Sequence, residues 1–247
     1  MTKIAIMQPT FMPWVGYFDL INSVDTFVFL DDVQLSKRSW QVKNKIKASH
    51  GESFITLPIK KDKSRDDQYI NNSFISVDEK WRNKTLKSIE LNYKKTPYFK
   101  DTFPLFKEWT SSNSSLSEIH IKMIKRIANM LSFDDVDFIT SSSLGIEGSK
   151  ETKLLDICKQ ISAQTYLSPQ GSSAYIQPTN LADRFKENNI DLLYHDYEPV
   201  KYKQLHGEFI PYLGIFDLLF NEGFEKSVEI IINGHKNNIY YKDFHKT

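Results

Sequence analysis

Apolar residues recur along the chain with two different periods, and their order predicts alternating strands and helices. Residues 3–8, Lys-Ile-Ala-Ile-Met-Gln, form a short apolar run stopped by Pro9, which predicts a buried first strand ending abruptly at a loop. After the loop Pro9-Thr10-Phe11-Met12-Pro13-Trp14, the run from Gly16 to Ile21 opens a helix. Residues 25–30 then form a second run rich in β-formers, ending at Asp31-Asp32. Strand, loop, helix and strand make the start of a βαβ unit, where ligands gather beyond the carboxyl ends of the strands. Gln8, Pro13, Trp14, Gly16 and Tyr17 on one side, and Asp31, Asp32 and Gln34 on the other, are therefore the first site candidates.

Further along, a basic stretch with Lys37, Arg38, Lys43, Lys45 and Lys47 reads as a loop around Trp40 and Asn44, followed by a strand at 53–57 and an exposed charged loop at 60–67. Helical spacing appears at 79–93 and more strongly at 116–131, with the Ser-rich segment 109–115 as a connection. A strand at 137–140, a helix at 150–161, strands at 164–168 and 191–195 and a flexible polar loop at Gly171-Ser172-Ser173 complete the alternation. The last helix is expected at 209–220, stopped by Asn221-Glu222-Gly223 with the glycine left-handed. The pattern predicts an α/β fold, a mainly parallel Rossmann-like sheet with flanking helices. It is read as one domain over residues 1–247 with a helical insertion at about 79–131.

Composition narrows the partners. Hydrophobic residues are 40% of the 247 and aromatic residues 13%, enough to bury a large core, so disorder is excluded. Lys and Arg number 32 against 31 Asp and Glu, so no overall field recruits long nucleic acid or an anionic bilayer, and an anionic ligand must be gripped locally. No apolar run approaches the roughly 18–20 residues of a membrane span. The lone Cys158, on a helix-like apolar stripe, reads as a small core residue, and with a short, interrupted N-terminal apolar run it predicts a reducing cytoplasm.

Neither a Gly-x-Ser-x-Gly elbow, a zinc motif, a Walker loop nor a Gly-x-Gly-x-x-Gly fingerprint is present. What remains is distributed chemistry. Arg38 and Lys45 are the chosen grips for a diphosphate, with Trp40 or Tyr17 stacking on a base or sugar ring. Asp31 and Asp32 at a strand end serve as base or hydroxyl ligands; metal binding is not expected, because no His or further carboxylate lies at ligand spacing nearby. His206, in the polar loop Gln204-Leu205-His206-Gly207-Glu208, is the first choice of general base. In the apolar 209–220 segment, read as core first and subunit interface second, Asp217 needs a partner, with Arg38 or a backbone cap in view. The interface reading leaves room for a homo-oligomer.

Three segments carry a family resemblance. They are Gln-Pro-Thr-Phe-Met-Pro-Trp-Val-Gly-Tyr-Phe-Asp-Leu-Ile at 8–21, Asp-Thr-Phe-Val-Phe-Leu-Asp-Asp-Val-Gln at 25–34, and Phe-Ile-Pro-Tyr-Leu-Gly-Ile-Phe-Asp-Leu-Leu-Phe-Asn-Glu-Gly at 209–223. Together they resemble the WbqC-like family, associated with O-antigen and related polysaccharide gene clusters. The resemblance implies a transferase acting on a nucleotide-linked amino sugar. N-acyl or aminoacyl transfer is the leading reaction, with acyl-CoA or an aminoacyl carrier as donor and the Asn44 amide or backbone N–H near Gly16 steadying the oxyanion. A second likeness, of Phe11–Leu30 to the strand, His-x-Gly-His and helix of nucleotidylyltransferases (HUP-like), implies an ATP- and magnesium-dependent activating enzyme as alternative. Trp14 and Tyr17 stand at its two histidine positions, with Gly16 retained. A non-catalytic sugar-nucleotide binding or assembly subunit is the third reading.

Overall fold

In the computed structural model, which describes residues 2–36, 39–64, 66–111, 114–146, 150–176 and 179–244, the chain alternates strands and helices as its patterning predicts. The strands among these residues are β1 (Lys3–Met7), β2 (Thr26–Phe29), β3 (Lys43–Ala48), β4 (Gly51–Thr56), β5 (Asp137–Thr140), β6 (Thr165–Pro169), β7 (Asp191–His195) and β8 (Ile239–Tyr240). The helices are α1 (Val15–Asn22), α2 (Glu79–Tyr93), α3 (Phe99–Trp109), α4 (Leu116–Met130), α5 (Lys150–Gln160), α6 (Ser173–Ile176), α7 (Leu181–Glu187) and α8 (Ile215–Asn233).

Six of these strands form one sheet in the order β5-β2-β1-β6-β7-β8, parallel except for β8. With the separate antiparallel hairpin β3-β4 set aside, the parallel strands follow the chain order 3-2-1-4-5, so the sheet reverses its winding between β1 and β6. That reversal opens a crevice at the carboxyl ends of β1 and β6, the place where doubly wound sheets bind ligands. The fold is Rossmann-like α/β.

The strand period of two divides the core. Ala5, Phe27 and Phe29 point into one apolar cluster with α1, α3, α4 and α8, while Ile4, Ile6 and Val28 point into another with α5 and α7. On α4 the spacing of Ile119, Met123, Ile124 and Ile127 lays one stripe into the first cluster, and Ser115 with Glu118 closes a capping box at its start.

Three local readings need correction. The part of the basic stretch at residues 43–48 is not loop but β3, whose alternation turns Asn44 and Ile46 inward and pairs Asn44 with Ile55. Gly171-Ser172-Ser173 is not a flexible loop, since Gln170–Ser172 is a 3-10 turn running into α6, and Ser172 and Ser173 are buried. Helix α3 fills part of the stretch after α2 that the pattern leaves unassigned, with Pro104 inside it, and the connection at 109–115 follows it. The last helix starts at Ile215 rather than 209, because Pro211 disfavours helical backbone before it and Tyr212 takes a positive φ of 60°. Gly223 has φ 72° as expected, but the helix kinks there and continues to Asn233.

Candidate functional site

The crevice at the switch point is a cleft of two lobes. One, of about 300 Å³, is walled by Pro13, Trp14, Tyr17, Trp40 and Tyr212, with Asn44 and Lys45 among its polar lining. The other, of about 340 Å³, shares Met7, Trp14, Tyr17 and Tyr212 and adds Gly16, Gln170, His195 and Tyr197. The two lobes draw on the ends of β1, β6 and β7, as the winding of the sheet dictates.

Trp14 is the residue around which the cleft is built. It is the N-terminal cap of α1, and it pairs with Gly214 across an isolated β-bridge. Two further backbone bonds, Gly214 N–H to the Lys45 carbonyl at 3.1 Å and Ile215 N–H to the Pro13 carbonyl at 2.8 Å, tie the 209–223 segment to the 8–21 segment. Its indole meets Tyr197 edge-on and Tyr212 at a tilt, both with centroids 5.4 Å apart. Tyr17 is buried beneath; its hydroxyl donates to the Gln8 carbonyl at 3.1 Å, and burial pushes the phenol well above its usual range. Trp40 is half exposed at 49%, an aromatic face left open at the rim.

Asn44 is buried and fully engaged. Its amide nitrogen donates to the carbonyls of Phe11 at 3.0 Å and Met12 at 2.6 Å, and its oxygen accepts from Lys45 N–H at 2.7 Å. It holds the loop that carries Pro13 and Trp14. The Lys45 ammonium pairs with Glu52 at 2.7 Å. Lys47 is buried, and its ammonium donates to the Gln204 side chain at 3.1 Å and to the carbonyls of Gly207 and Glu208. That contact ties the loop of His206 to the hairpin. His206 itself is exposed, at φ 63°, with Nε2 3.1 Å from the Asn92 carbonyl, and it lines neither lobe. The C-terminal segment reaches the cleft through Tyr212.

Asp31 and Asp32 lie past β2 on the same edge of the sheet, in a different setting. Asp31 is buried and accepts from Ser117 Oγ at 3.2 Å, Ser141 Oγ at 3.2 Å, Ser142 N–H at 3.0 Å and Ser142 Oγ at 2.8 Å. It thereby binds the end of β2 to the turn after β5. Asp32 pairs with the Lys153 ammonium at 2.6 Å and also accepts from Ser141. Gln8, Gln34 and Lys153 line a third cavity of about 210 Å³ there. Arg38 lies outside the described residues.

The partners of Asp217 are neutral donors. Tyr93 donates to one carboxylate oxygen at 2.7 Å, and Tyr202 at 2.7 Å and Gln204 at 2.8 Å donate to the other. Burial pushes its carboxyl above the usual range, opposed by the hydrogen bonds from Tyr202, Tyr93 and Gln204 and by the nearby Lys47 charge.

Sequence reasoning missed a polar group at the second lobe. His195, at the carboxyl end of β7, places Nε2 2.6 Å from Asp19 Oδ2, and His235 places Nδ1 2.8 Å from the same oxygen. His195 had a legible signal, as the polar last residue of an apolar strand; Asp19, a carboxylate on the apolar face of α1, was an anomaly of the same kind as Asp217.

Fold and cleft define a Rossmann-like α/β protein with a two-lobed cavity at its switch point. The chain belongs to the WbqC-like protein family, whose model matches residues 8–229. It is 33% identical over 230 residues to a protein of Mycobacterium tuberculosis (strain ATCC 25618 / H37Rv) described as uncharacterized protein Rv1507c, covering 91% of this chain and 96% of that one. No solved structure matches. Among the described residues, no helix is long and apolar enough to cross a membrane.

Proposed function

We propose that the chain is a cytoplasmic transferase of bacterial surface-polysaccharide assembly that places an acyl or aminoacyl group on the amino group of a nucleotide-linked amino sugar. The observation that carries this reading is the two-lobed aromatic cleft at the switch point. Each lobe is near the lower end of the roughly 300–1,000 Å³ of small-molecule sites. A ligand of two ring systems joined by a polar bridge fits such a pair. Trp14, Trp40 and Tyr212 offer faces and edges for a base and a sugar ring, over a floor that includes Tyr17. The attacking amine must lose a proton, and His195, held by Asp19 behind it, lines the second lobe as the group to accept it. The family's association with O-antigen clusters supports the pathway.

The nucleotidylyltransferase alternative finds less support. Trp14 and Tyr17 replace the two histidines, and the space over Gly16 that a phosphate would need is taken by the Trp14 indole. The test is incubation of the protein with dTDP- or UDP-amino sugars and acyl or aminoacyl donors, read by mass spectrometry. Acylated sugar nucleotide, lost in Trp14→Ala, is the expected result. Pyrophosphate release from ATP with a carboxylate substrate, or sugar nucleotide bound but unchanged with every donor, would replace the reading.

A further inference from the structure

His195, at the end of β7, lines the second lobe, and behind it stand two side chains from distant parts of the chain, Asp19 on α1 and His235 just after α8. Their donor atoms all lie within 4.8 Å of one another. Both imidazoles aim at one oxygen, Asp19 Oδ2, from 2.6 and 2.8 Å, while the structure gives Asp19 Oδ1 no partner of its own among these contacts. The Asp19 and His195 side chains are 2% and 5% exposed, and His235 is 35% exposed on the open side. Beside them, Tyr197 stacks on His195 with centroids 6.1 Å apart. Its hydroxyl is buried with no hydrogen-bond partner, over Gly234, where a Cβ would stand 2.5 Å from it. An orphaned buried hydroxyl next to converging imidazoles and a carboxylate marks a place built for something besides the protein's own groups.

We infer that Asp19, His195 and His235 form a binding site for a divalent first-row transition ion facing the second lobe of the cleft. Two neutral imidazoles and one carboxylate are a donor set that such ions favour over magnesium or calcium. Ligands about 2.1 Å from a tetrahedral ion stand about 3.4 Å apart, so the contacts of 2.6 and 2.8 Å to Asp19 Oδ2 must open by about 0.6–0.8 Å, within reach of side-chain rotation. Three protein ligands on one side leave positions free toward the cavity for water or a substrate oxygen. The inference does not depend on the acceptor proposed above.

The experiment uses the full chain, stripped with chelator, and reads metal binding without turnover. Zinc is titrated by calorimetry, and cobalt by its visible absorption. The expected result is one ion per chain and a cobalt spectrum of nitrogen and oxygen ligation. His235→Ala should bind at least about 100-fold more weakly, beyond the roughly 10–100-fold that outer-shell changes cause. Because His235 is partly exposed, that variant should keep its fold, which circular dichroism checks. Zinc should raise the melting temperature of the wild type and not of His235→Ala, and Asp19→Asn should repeat the loss. Absence of stoichiometric binding, or equal affinity in His235→Ala, overturns the site. Acyl transfer that survives chelation would leave the proposed function standing and remove the metal from it.

Discussion

The indole of Trp14 lies directly over the α-carbon of Gly16, two residues further along the chain. A Cβ built at Gly16 would sit 2.2 Å from the ring, inside any allowed contact. The glycine is thus required by the tryptophan, whose ring serves both lobes of the cleft and touches Tyr197 and Tyr212.

Gly16→Ala should therefore displace the indole and remove sugar-nucleotide binding while destabilising the fold by about 1–3 kcal/mol, the usual range for overpacking. Adding Trp14→Ala should return much of the stability and none of the binding. Calorimetric titration together with urea denaturation checks both halves. Normal ligand affinity in Gly16→Ala would separate this contact from the site.

Asp217 carries a second prediction. Its truncation to Ala leaves the Tyr93 and Tyr202 hydroxyls and the Gln204 amide without their acceptor in a buried setting. Each buried group left unsatisfied costs roughly 1–3 kcal/mol, so Asp217→Ala should lose about 3 kcal/mol or more. Tyr202→Phe should lose only about 1 kcal/mol. Denaturant midpoints compared at constant slope decide it, and a loss under about 1 kcal/mol for the alanine variant would mean that water replaces the carboxylate.

The fold was legible because its strands are short, apolar and separated by helices, and the βαβ start from Lys3 to Phe29 follows from that pattern alone. The same argument put Trp14 in the loop after the first strand and Tyr17 at the start of the helix that follows, where the structure has them. The hairpin was hidden because Lys43, Lys45 and Lys47 read as solvated charge, whereas Lys47 is buried against three oxygens of the 204–208 loop. Helix α3 was hidden by Pro104. The cluster of Asp19, His195 and His235 escaped because its members are separated by up to 216 residues and meet only through the sheet order, which no spacing rule along the chain reports.

Cys158 lies within α5, buried in the second core cluster, and burial pushes its thiol well above the usual range. Only the thiolate attacks disulfide reagents, so the native protein should resist labelling and react fully once unfolded in urea. Stoichiometric labelling of native protein within minutes would show that α5 opens readily.

His120 makes the fold sensitive to acid. The ring is fully buried on α4, where Trp109 Nε1–H donates to Nδ1 at 2.9 Å and Nε2 is 2.7 Å from the Gln41 carbonyl. Since the indole can only donate and the carbonyl only accept, the partners assign the neutral tautomer with hydrogen on Nε2. Burial lowers its pKa from 6.5 to about 4, the Gln41 carbonyl opposing. Between these values the unfolded chain binds the proton and the folded chain does not, so stability rises with pH across that window. The contribution is complete above pH 6.5 and is lost as pH falls toward about 4, and the spread of the two values corresponds to about 3 kcal/mol. In His120→Gln, which keeps a donor and an acceptor but cannot titrate, the wild type should be the more stable at pH 7, and its lead should shrink as the pH approaches 4.5. Urea midpoints of both proteins across that range measure the difference, and curves that stay parallel would mean that His120 is not the group whose protonation loosens the fold.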